Sequence, residues 1–153
     1  MSGAPPPSPL RGVNFRAIET LFGIRDRGLE AGTMASCSFR VSNVEIYNER
    51  VRDLLAPSAS AADEAWLEIR QDLNTGVFVD CVWVPANTPE EVWAAMERGQ
   101  ANRAMGLTRM NAESSRSHSV VMVEALVQRA EVETEAVASA RGRLVLVDLA
   151  GSE

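Results

Sequence analysis

The chain contains no lysine; all 15 of its basic residues are arginine. No position can therefore supply the ammonium that a G-x-x-x-x-G-K-[ST] loop places on nucleotide phosphates, and no such loop occurs in the 153 residues. Histidine occurs once, at His118, and cysteine twice, at Cys37 and Cys81, without CxxC spacing. That inventory is too small for a structural zinc site or a disulfide framework, which points to a reducing, cytosolic setting. No apolar run approaches the ~20 residues of a membrane span. Met1–Pro9 has neither the basic nor the apolar stretch of a signal peptide. Positive charge is short overall: the formal net charge is -6, which argues against general nucleic-acid or anionic-membrane binding.

What is present is ordinary for a globular chain, 46% hydrophobic and 24% charged, at a length suited to about one domain. Residues 1–11 are small and proline-rich and read as a leader or loop; residues 12–153 show no internal repeat and no evident boundary. NFRAIETLF reads as a helix start, with Asn14 as cap and Phe15, Ile18, Leu21 and Phe22 on one face. Ser38–Glu49 alternates like a strand, and VRDLLAP reads as a short turn closing it. WLEIRQD and GVFVDCVWV read as two strands joined around Asn74–Gly76. Thr88, Pro89 and Glu91 form a capping-box signature that opens a helix running to about Ala104, with Val92, Trp93 and Met96 inward. Met105–Ser117 lacks periodicity and reads as a loop, followed by the strand HSVVMVEALVQ. A charged connection then leads to RGRLVLVDLAG, whose run Leu144–Val147 suits a strand buried on both faces.

Two places carry chemistry. Asp148 closes that apolar strand and Gly151 follows three residues later. An acidic residue at a strand's C-terminal end is where α/β proteins collect ligands, and a glycine lets a backbone N–H approach a phosphate. D-x-x-G alone is common and reads more often as a strand end with a turn. Asn111, Ser114, Ser115, Arg116, Ser117 and His118 gather three hydroxyls, an amide, a guanidinium and an imidazole in one stretch. Hydroxyls can ligate Mg2+ or orient water, and arginine can fork onto a carboxylate. The plain alternative is a solvated serine-rich loop, with His118 in a structural role.

The stretch NAESSRSHS resembles switch I of the kinesin motor domain, and DLAGSE is similar to kinesin switch II. VEIYNERVRDLL and GQANRAMGLTRMNAESSRSH resemble the same family, so the likeness covers Gly12–Glu153. GVNFRAIETLF and LEIRQDLNTGVFV look most like the kinesin-14 group. The resemblance implies an α/β fold: part of a kinesin-type P-loop NTPase, with a central mixed β-sheet flanked by helices, lacking the N-terminal P-loop part and the C-terminal part. Residues 12–153 would then be an incomplete motor domain and the chain an internal slice of a longer protein. The resemblance implies ATP and Mg2+ as cofactors, microtubules as partner and a cytoplasmic, cytoskeletal location. Asn111 would contact the phosphates; Ser114 and Ser115 would contact Mg2+, the γ-phosphate or the attacking water. Arg116 would pair with Glu153, Asp148 would support Mg2+ through water, and the Gly151 N–H would sense the γ-phosphate. Coiled-coil dimers are usual in the family, but no heptad segment is present here. The hairpin from Trp66 to Val84 is the remaining candidate microtubule contact, although it mixes Arg70 with Asp72 and Asp80. Two further readings stay open: a kinesin-like binding module without ATP turnover, and a mis-predicted gene fragment. The isolated 153 residues are expected to be inactive, and poorly soluble or partly unfolded, because truncating a central sheet leaves strand edges bare.

Overall fold

The computed structural model describes residues 12–57, 66–73, 76–109, 116–129 and 139–151. The element order is α1 (Val13–Glu30), β1 (Met34–Tyr47), β2 (Arg50–Asp53), β3 (Trp66–Leu67), β4 (Ile69–Asp72), β5 (Gly76–Val79), β6 (Val84–Ala86), α2 (Pro89–Arg109), β7 (Ser117–Arg129) and β8 (Ser139–Asp148). The main sheet runs β3-β2-β1-β7-β8, with β6 also pairing to β1, while β4 and β5 form a separate two-stranded ribbon. The pairs β1–β2, β2–β3 and β4–β5 are antiparallel.

The chain divides into two compact units, and β1, α2, β7 and β8 each run through both. The first holds α1, β1 up to Val41, Pro85–Trp93, and the stretch from Val123 to Leu144. Its core is aromatic. Phe15 meets Trp93 edge-on at 5.4 Å and Phe22 stacks at 4.5 Å on Phe39, with the Arg25 guanidinium 4.7 Å above the Phe22 ring. The apolar face expected for α1 is the one buried, through Phe15, Ile18 and Phe22. Asn14, however, does not cap it. The cap position belongs to Gly12, without a side-chain bond, and Asn14 is buried inside the first turn. The helix ends because Gly32 takes φ +66°, which lets Gly32 N–H reach Leu29 O at 3.1 Å and Thr33 N–H reach Gly28 O at 3.0 Å. That double bond is the Schellman arrangement, and it closes α1 where the sequence pattern was ambiguous.

The second unit holds residues 42–84, 94–122 and 145–151 of the described chain. Val44, Val51 and Cys81 form its centre, flanked by Ile46, Leu67, Val79, Trp83, Val120 and Met122. Here the sequence expectations need three corrections. Arg50–Asp53 is strand β2, not part of a closing turn; the reversal is made by Asn48 and Glu49, both at positive φ (48° and 62°), between the paired residues Tyr47 and Arg50. Helix α2 runs to Arg109, so Met105–Arg109 is helical, and Ser117 already belongs to β7. Strand β8 is not buried on both faces: Val145 is 47% and Val147 37% exposed. It is the last strand in the order, so among the described residues nothing pairs beyond it.

The start of α2 follows its signature with one shift. Thr88 Oγ1 accepts from Glu91 N–H at 3.3 Å, while the Glu91 carboxylate accepts from Asn87 N–H at 2.5 Å, one residue earlier than the usual reciprocal bond.

Candidate functional site

The segment VEIYNERVRDLL shows its purpose once folded. Its hairpin ends at Asp53, whose Oδ1 accepts from Leu55 N–H at 2.7 Å and Ala56 N–H at 3.1 Å. Its Oδ2 accepts from Val82 N–H at 2.6 Å, so one carboxylate ties a turn to the β5–β6 connection 29 residues away. Leu54 N–H bonds to Asn43 O at 2.9 Å, and Asn102 on α2 donates to Leu54 O at 2.8 Å. Strand β1 is thereby held to α2. Close approach completes the contact: a Cβ on Gly99 would fall on the Asn43 side-chain amide, so only glycine fits.

On this frame sits a buried ionic cluster. Glu45, 1% exposed on β1, pairs with Arg52 of β2 and with Arg103 of α2, the latter at 3.3 Å. Arg103 also donates to Ser117, the first residue of β7, through Nη2 to the carbonyl oxygen at 2.8 Å and to Oγ at 2.9 Å. Arg116 precedes it and is exposed.

The next residue makes the decisive link. His118 is half-buried, and its Nδ1 accepts from Ala150 N–H at 2.9 Å. An accepting Nδ1 carries no proton, so the neutral ring holds its hydrogen on Nε2. That bond joins the strand beginning after SSR to the strand ending in DLAG. Asp148 and Gly151 lie within two residues of its acceptor's partner. Asp148 is exposed, and among the described residues nothing lies within 4 Å of where a Gly151 Cβ would stand. An exposed carboxylate beside an open backbone is a donor set that fits a phosphate-bound Mg2+, which takes one or two carboxylates and completes its shell from phosphates and water.

Of the residues singled out from sequence, the structure thus describes Arg116, Ser117, His118, Asp148 and Gly151; Asn111, Ser114, Ser115 and Glu153 lie outside the described residues. Glu45, Arg103 and the His118–Ala150 bond were not foreseen. The signals for them were weak: a lone glutamate in a strand, and an arginine among others on a helix.

Comparison with known proteins agrees with this geometry. The kinesin motor domain family profile matches residues 1–153. A kinesin heavy chain of Syncephalastrum racemosum is 41% identical over 144 residues, covering 94% of this chain and 14% of the relative. The kinesin-like protein KIN-14Q of Oryza sativa subsp. japonica is 42% identical over 143 residues, again covering 93% of this chain and 14% of the relative. Those two identities are level, so they do not separate the subgroups. A solved structure, described as that of a fast kinesin with implications for ATPase mechanism and interactions with microtubules, superposes with a TM-score of 0.83 at 37% identity. It is covered over 40% of its length by the whole of this chain. The chain therefore spans about one-seventh of the length of the curated relatives it matches.

Proposed function

The chain belongs to the kinesin motor domain family, and from that premise we propose that it is the switch-bearing centre of a microtubule motor that couples ATP hydrolysis to microtubule binding. The observation that carries the reading is the hydrogen bond from Ala150 N–H to His118 Nδ1, which couples the two motif-bearing strands directly. A phosphate bound on one side then changes the position of the other, the order–disorder coupling that γ-phosphates commonly drive.

In this reading Asn111 donates to phosphate oxygens, and the Ser114 and Ser115 hydroxyls orient the attacking water. The Gly151 N–H bonds to the γ-phosphate and is released when that phosphate leaves. Arg116 and Glu153 close as a charge pair over the site, excluding bulk water. Mg2+ would be held by Ser115 and, through water, by Asp148, and when bound it offsets charge developing on the phosphates. The ribbon β4–β5 remains the candidate microtubule contact; Arg70 supplies its cation, and Ile69 and Val77 are exposed beside it.

These 153 residues hold no lysine, so on their own they are expected neither to bind MgATP tightly nor to turn it over. The test is phosphate release by the natural full-length product, with and without microtubules. Wild type should be stimulated, and Arg116→Ala or Glu153→Ala should each lose roughly a hundredfold or more in turnover, the scale of losing one preorganised electrostatic contact in a catalytic site. Microtubule co-sedimentation without any turnover would instead favour the binding-module reading, which the missing lysine makes worth separating.

A further inference from the structure

Three elements converge on the buried guanidinium of Arg103, which is 6% exposed. Its Nε donates to Glu45 Oε1 at 3.3 Å and to Ser117 Oγ at 3.2 Å, and its Nη2 reaches Ser117 O at 2.8 Å and Oγ at 2.9 Å. Glu45 also takes Arg52, so two cations share one carboxylate. The fully buried Ser117 adds two neutral acceptors, its hydroxyl and its carbonyl oxygen. The planar fork holds its donors in fixed directions, toward a carboxylate on one element and a hydroxyl and carbonyl on another.

Arg103 and Ser117 stand 14 residues apart, and between them lie Asn111, Ser114, Ser115 and Arg116. We infer that Arg103 is a positioning residue: through Ser117 it clamps together the two ends of the segment that carries the switch I side chains. The Glu45 carboxylate orients the clamp from β1, and Arg103 itself touches no substrate. Holding Ser117 against α2 fixes where β7 begins. It also fixes where the catalytic groups start, and small misplacements of such groups are costly in rate. The inference rests on the functional reading above for its effect on turnover, but the clamp itself is a statement about the chain.

The experiment uses the natural full-length protein as wild type, Ser117→Ala, Arg103→Lys and Glu45→Gln. Ser117→Ala is the mildest change, since the carbonyl acceptor stays, and it keeps the test alive if the charge variants fail to fold. Two readouts are taken: amide hydrogen exchange at Ala104–Arg109 and Ser117–Ser119, and kcat and KM for ATP hydrolysis with microtubules. The clamp predicts roughly tenfold faster exchange confined to those two stretches, the scale of losing one charge-assisted hydrogen bond. It also predicts a fall in kcat with KM for ATP unchanged. Arg103→Lys keeps the charge but should not restore slow exchange, whereas a merely structural cation would be rescued. Wild-type rates at both stretches in every variant, or acceleration spread evenly over the chain, would overturn the clamp. Locally faster exchange in the variants, together with a wild type that never turns over ATP, leaves the clamp standing and removes the functional reading.

Discussion

Glu124 on β7 is 3% exposed and faces Arg40 at 2.5 Å, Arg143 at 2.9 Å and Arg141 at 3.8 Å. Burial by itself would push its carboxyl up. Hydrogen bonds from Arg143 and Arg40, with the nearby charges of Arg40 and Arg141, outweigh burial and hold it below the ordinary glutamate value. A carboxyl lowered on folding contributes stability that is present above its unfolded value, about 4.3, and lost as pH falls through the folded value. Glu124→Gln should therefore be less stable than wild type near neutrality, with the gap narrowing as pH drops below about 4.3. Denaturant unfolding of both proteins across that range measures it; a gap independent of pH would contradict the pairing. The three arginines are each partly exposed, so salt should also narrow the gap. None of this was readable from HSVVMVEALVQ, because Arg40 stands 84 residues away in sequence. The placing of Asp148 at the end of an apolar strand, by contrast, was legible from the run Leu144–Val147 before it.

At the level of elements, the β1–β2 turn stores avoidable strain. Asn48 and Glu49 both take positive φ, the type I′ geometry for which Asn-Gly is preferred. Asparagine tolerates that region and glutamate does not, so Glu49→Gly should stabilise the protein by about 1 kcal/mol, read as a higher denaturation midpoint. The helix α2 invites the opposite error. Gly99 sits mid-helix, where alanine normally gains about 1 kcal/mol. Here a new Cβ would meet the buried Asn43, which also receives a hydrogen bond from Ser119 at 3.5 Å. Gly99→Ala should therefore destabilise, by about 1–3 kcal/mol, as overpacking does. Gly28→Ala faces only the flexible Met34 thioether and should cost less, so the ratio of the two effects is the check. Helix starts were read correctly where a local code exists, as at Thr88 and Glu91. They were misread at Asn14, because whether a side chain caps or turns inward depends on what packs against it.

For the molecule as a whole, the consequential feature is where β8 ends up. Val145 and Val147 alternate outward at 47% and 37% exposure, and Leu149 beyond them is 70% exposed. A partly exposed apolar strand at the end of the order is a template for pairing with another copy. The 153-residue chain should therefore self-associate in a concentration-dependent way, and the Val145→Lys/Val147→Lys double variant should lower its light scattering. Equal scattering by the two would show that association, if any, proceeds elsewhere. The same exposure explains why a run of four apolar residues misled: apolar sequence records a need for cover, not the presence of it.

The residues by themselves determined the family likeness, the strands and helices with strong local codes, and the two motifs for which phosphate sensing is proposed. Those properties are short-range: periodicity, capping and motif spacing are all written within a few positions. Only the tertiary structure decided that Glu45, Arg52, Arg103 and Ser117 form one buried cluster, that Gly99 is obligatory beneath Asn43, and that His118 holds the backbone of Ala150. Each of these joins groups distant in sequence: Arg103 and Glu45 are 58 residues apart, and His118 and Ala150 are 32 apart. Their energies arise from burial and from hydrogen bonds between strands and helices, which no local pattern encodes.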